Sequence, residues 1–76
     1  MNQKRRAEIS GVIAEIFSAK IDVESILTDE QACLDNMPEN LEGSERYERI
    51  ENAVDKLDEA VDSLQDAIDS LGEAME

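Results

Sequence analysis

Ala53-Val54-Asp55-Lys56-Leu57-Asp58-Glu59, Ala60-Val61-Asp62-Ser63-Leu64-Gln65-Asp66 and Ala67-Ile68-Asp69-Ser70-Leu71-Gly72-Glu73 are three consecutive heptads of one form. Each places a β-branched residue and a leucine three positions apart, the a and d spacing of a coiled-coil seam. With the β-branched residue at position a, that row reads Tyr47, Val54, Val61, Ile68 and Met75. The d row is Ile50, Leu57, Leu64 and Leu71, and alanine fills every g position from Ala53 onward. Alanines beside the seam let a neighbouring helix come close. The pattern predicts one long helix that packs along its length on another.

Working outward, Ser44 is the natural N-cap, and Glu45 and Glu48 suit the positive end of the helix dipole. The capping box is incomplete, because Tyr47 holds its third position. Upstream, Gly43 permits a positive φ, and Pro38 restricts Met37 away from the α conformation. Residues 37–43 therefore read as a turn between a first helix over about 3–36 and a second over about 44–75. Each helix of about thirty residues spans about 45–50 Å at helical rise. Equal lengths and a short turn predict an antiparallel two-helix hairpin, all-α, forming a single domain over residues 1–76.

The first helix is less regular. Ile9, Val12, Ile13, Ile16, Ala19, Val23, Ile26, Leu27, Cys33 and Leu34 form one broad apolar face suited to the second helix. Ala14, Phe17, Ile21 and Ala32 lie well off that face and form a sparser strip. Ordering a chain costs roughly 1.5 kcal/mol per residue, which a lone hairpin buries too little apolar surface to offset. The second strip is therefore expected to pair two hairpins as a homodimeric four-helix bundle. The other reading is that Phe17 and Ile21 are simply exposed.

Composition removes most chemistry. The chain has no His, so it holds no Ser-His-Asp or Cys-His nucleophile, imidazole base or His-containing zinc site. Its three glycines are isolated and give no phosphate-binding loop. The aspartates have helical spacing, not the alternation of a calcium loop with its central glycine. Two long helices provide no cleft for paired carboxylates to act in. Enzymatic activity, a metal and a cofactor are not expected. The lone Cys33 cannot form an internal disulfide, and it falls on the inward side of the first helix as a small core residue. No segment reaches the length of an apolar membrane span. A soluble cytoplasmic protein, with no membrane partner, is expected.

Twenty acids against seven bases give a net charge of −13, which repels nucleic acid, so no direct nucleic-acid binding is expected. On the outer face of the second helix, Glu48, Glu51, Asp55, Glu59, Asp62, Asp66, Asp69, Glu73 and Glu76 follow one another at spacings of three or four. Successive acids stand about 5 Å apart along the axis, comparable to phosphates along a strand. One reading is an acidic rail that occupies a basic groove built for nucleic acid. The other is the ordinary solvated face of a coiled coil. Lys4, Arg5 and Arg6 fall near Asp69, Glu73 and Glu76 in an antiparallel hairpin and are expected to form ion pairs there.

The turn Asp35-Asn36-Met37-Pro38-Glu39-Asn40-Leu41, then Ser44-Glu45-Arg46 and the heptads, resembles a group of small acidic proteins encoded by bacteriophages and prophages. Most of that group has no assigned function. The resemblance implies a phage setting, in which small acidic proteins often inhibit host defence, including anti-CRISPR proteins that block a nuclease's nucleic-acid channel. No catalytic or ligand residues come with it. The expected function is thus a non-enzymatic protein-binding module that inhibits a host nucleic-acid-binding defence protein through its acidic face. The alternative is a structural or assembly coiled coil whose acids only confer solubility.

Overall fold

The computed structural model describes all 76 residues, Met1–Glu76. Helix α1 runs over Gln3–Asp35 and helix α2 over Glu45–Ala74, with a single 3₁₀ turn at Glu39–Leu41 between them. The helices pack side by side as a hairpin with principal extents of 59 × 15 × 13 Å. No helix is long and apolar enough to cross a membrane.

Local chemistry sets the ends. The Asn2 side chain accepts the Arg5 backbone N–H at 2.8 Å and caps α1. Asn36 terminates α1, its N–H donating to the Ala32 carbonyl at 3.0 Å. Pro38 starts the 3₁₀ turn, and its carbonyl accepts from Leu41 N–H at 2.9 Å. Gly43 then takes φ 81°, the left-handed conformation that reverses the chain into α2. Ser44 caps α2 by accepting the Tyr47 N–H at 3.2 Å. At the other end, the Arg6 Nε donates to the Met75 carbonyl at 3.1 Å, and the Ser10 hydroxyl lies 3.6 Å from the Met75 sulfur.

The seam of α2 is the one its heptads specify: the a and d residues from Tyr47 to Met75 are all half-buried. On α1 the half-buried residues are Ile9, Ile13, Ile16, Lys20, Val23, Leu27, Glu30, Gln31 and Leu34. Alternating steps of four and three assign position d to Ile9, Ile16, Val23 and Glu30, and position a to Ile13, Lys20, Leu27 and Leu34. This differs from the broad face expected from the sequence. Val12, Ala19, Ile26 and Cys33 are exposed, so Cys33 is not a core residue. The physical reason is width. A single partner helix covers only the a and d rows, and those four residues all sit at position g, about 100° round the helix from position a.

None of the 76 residues is buried. The hairpin has a seam but no enclosed core.

Candidate protein-interaction surfaces

Two surfaces are available for function, one charged and one apolar. The charged surface lies along α2. All nine acids of the row that begins at Glu48 and ends at Glu76 are exposed; eight stand on the helix, and Glu76 follows its last turn. The bases of α2 are confined to its first half: Arg49 pairs with Glu45, and Lys56 Nζ lies 3.3 Å from Glu59 Oε2. Beyond Lys56 no base occurs to Glu76. Past the Lys56–Glu59 pair, the only side chain tied to the acidic row is Gln65, whose amide donates to Asp69 Oδ1 at 2.9 Å. Beyond Glu59 the carboxylates face water without positive partners, so their fields add along one edge.

The basic trio does not neutralise this edge. Lys4, Arg5 and Arg6 do lie at the end of the hairpin that holds the last turn of α2, but none forms an ion pair with Asp69, Glu73 or Glu76. Arg6 instead reaches the Met75 carbonyl. The carbonyls of a terminal helical turn lack intrahelical partners and carry the negative end of the dipole. They compete well with exposed carboxylates for a guanidinium.

Lys20 was hidden from sequence reading. It occupies position a between Ile16 and Val23, its side chain is only 19% exposed, and its Nζ donates to Gln65 Oε1 at 2.7 Å. Glu24 Oε1 lies 3.8 Å away. The detectable signal was the gap it leaves, as Glu30 does at position d, in the apolar four-three rhythm. A lone polar residue at position a fixes register at some cost in stability.

The apolar surface lies on α1. Val12, Phe17, Ile21 and Ile26 are 43%, 52%, 50% and 53% exposed. Ala14 and Ala32 of the second strip are exposed as well. The two sets lie apart: none of Ala14, Phe17, Ile21 and Ala32 stands on the flank of the α1 seam that holds Val12 and Ile26, and Ala32 lines with Gln31 an open groove opposite Asp55 and Asp58 of α2. The groove is shallow, and no cluster of three or more His, Cys, Asp or Glu side chains is arranged to hold a metal ion.

No family model, curated protein or solved structure matches the chain.

Proposed function

We propose that the chain is a non-enzymatic, phage-type protein-binding module that inhibits a host nucleic-acid-binding defence protein. It acts in the anti-CRISPR manner, as a homodimer of hairpins forming a four-helix bundle. Its acidic edge enters a basic groove in place of nucleic acid. The observation that supports this reading is the row from Glu48 to Glu76: nine exposed acids on one helix edge, with no base after Lys56. Like charges three and four residues apart cost a helix a few tenths of a kcal/mol each, so stability gives no reason to keep them in line.

The test is a triple charge reversal, Asp62→Lys, Asp66→Lys and Asp69→Lys, compared with the unaltered chain for capture of a host protein at low and high salt. The expected result is a nucleic-acid-binding protein held at low salt, released by competing duplex DNA, and lost with the variant although its helicity is retained. Capture that survives the reversal would remove the acidic edge from the contact.

The absence of any buried residue favours a second reading, a structural or assembly coiled coil whose acids confer solubility. Under that reading charge reversal is tolerated, and polar substitution of exposed apolar residues abolishes function.

A further inference from the structure

Heptad position separates two of the exposed large apolar residues of α1, Val12 and Ile26, from the other two, Phe17 and Ile21. Position g of α1 holds Val12, Ala19, Ile26 and Cys33, and position g of α2 holds Ala53, Ala60, Ala67 and Ala74. All eight are uncharged in a chain that is 36% charged. The e positions differ: Ser10, Phe17, Glu24 and Gln31 on α1, and Glu51, Asp58, Gln65 and Gly72 on α2. The open groove shows which flanks share a side, because Gln31 and Asp58, both at position e, line it together. The Lys20–Gln65 hydrogen bond lies toward the same flank of α2. Both g rows therefore share the opposite side.

The axial register sets them level with one another. Ser10 reaches Met75 and Lys20 reaches Gln65, so contacting residue numbers sum to about 85 along the seam. Val12 falls beside Ala74 and Ile26 beside Ala60, as Ala19 does beside Ala67 and Cys33 beside Ala53. The result is one continuous apolar side of the hairpin, with two large side chains on the α1 row and only alanine on the α2 row.

A two-stranded coil covers positions a and d, and its g positions are usually charged. From Ile9 on α1 and Tyr47 on α2, the a, d and g face is apolar but for Lys20, Glu30 and Tyr47. Such a face, about three residues in seven, is the pattern of a helix facing a bundle core. The geometry points to a second copy of this chain docked on the g side of the hairpin, related by a two-fold axis parallel to the hairpin's long axis. This rests on the dimeric reading given above, and moves the interface to the side away from Phe17.

Three observations choose this occupant. First, the single chain buries no residue, and covering the g side encloses the a and d rows beneath it. Second, the broad face of 59 × 15 Å offers a footprint of about 900 Å², close to the roughly 800 Å² per partner of a stable interface. Third, the side is self-complementary. A long-axis two-fold sets α1 of one copy over α2 of the other at unchanged axial level, so Val12 and Ile26 meet an alanine row. A two-fold across the hairpin would set alanine rows against each other and crowd the large side chains together.

Sedimentation equilibrium of the full chain, with and without substitutions, tests the assignment. The unaltered chain is expected at about 17 kDa, twice its 8.5 kDa mass. Ile26→Glu with Ala60→Glu should halve that mass, whereas Phe17→Ser with Ile21→Ser should leave it unchanged. The reverse pattern overturns the face and leaves dimerisation standing. A monomer at every concentration overturns both.

A second measurement leaves the g side apolar, which covers the case of glutamate variants that do not fold. A spin label at Lys4→Cys, in a Cys33→Ala background, reports one distance between copies. The long-axis two-fold keeps both labels at one end, within about 25 Å, the width of two helices. A distance of about 45 Å or more, from fifteen residues of helical rise on each side of the midpoint, would overturn the axis.

Discussion

Replacing Lys20 with leucine should make the protein more stable. Lys20 sits at position a of the α1 seam between Ile16 and Val23, with its ammonium reaching across to Gln65 Oε1 at 2.7 Å. The substitution removes that hydrogen bond, worth about 1 kcal/mol net, and leaves Gln65 half-exposed and able to take water instead. It also loses the weak approach to Glu24 at 3.8 Å, worth at most about 0.5 kcal/mol for a pair of this geometry. Against these, a leucine in the seam contributes about 2 kcal/mol of apolar burial. The substitution also ends the partial desolvation of the ammonium on a side chain only 19% exposed, which contributes about 0.5 kcal/mol more. The balance is a gain of about 1 kcal/mol, or an increase of about 4–8 °C in Tm for a chain of this size. The assay is thermal melting followed by helical circular dichroism at one fixed protein concentration, since association shifts Tm by mass action. Lys20→Met, which keeps an unbranched stem without the charge, should move Tm in the same direction. A fall of 4 °C or more in both variants would refute the reasoning and make the Lys20–Gln65 bond a main support of the hairpin.

The caps and the turn give further expectations. Ser44→Ala removes the acceptor for Tyr47 N–H and should cost about 1 kcal/mol, read as a lower urea midpoint; an unchanged midpoint would show that water replaces the cap. Gly43→Ala forces a Cβ into a backbone with φ 81° and should cost about 1–2 kcal/mol, although nothing lies within 4 Å of the added atom. If that variant melts with the unaltered chain, the turn has another conformation available. Raising sodium chloride from 10 mM to 0.5 M should raise Tm, because a net charge of −13 is opposed by only three ion pairs. Asp62→Asn, Asp66→Asn and Asp69→Asn together should blunt that salt response and add about 0.5–1 kcal/mol. A Tm that falls with salt would mean that the ion pairs, not the repulsion, set the balance.

The hairpin itself was legible because its determinants are local and repeated. The Val/Ile and Leu rows of α2 recur every seven residues, Ser44 precedes them, and Gly43 and Pro38 interrupt the chain where it must reverse. The seam of α1 was less legible for two physical reasons. Lys20 occupies a seam position that hydropathy assigns to solvent, since its long stem lies in the seam while its ammonium finds a polar partner. Conversely, Val12, Ile26 and Cys33 carry the hydropathy of seam residues but stand one heptad position too far round the helix. Apolar character alone does not separate a side chain facing an intramolecular neighbour from one facing outward. The acidic edge was readable as a row of residues. The routing of Arg6 to the Met75 carbonyl was not, because it depends on where a helix end leaves its backbone acceptors free.

The contact between Arg6 and Met75 also has a mechanical consequence. It places both ends of the chain at one end of a 59 Å rod, with the reversal at Gly43 at the other. Tension applied between the ends acts across the seam instead of along it. The first layer to bear it is Ser10 against Met75, then Lys20 against Gln65, and so on toward the turn. The hairpin would open like a zip, one layer at a time and at low force. A pull from Met1 against Gly43 would load α1 along its own axis, against its backbone hydrogen bonds instead of the seam.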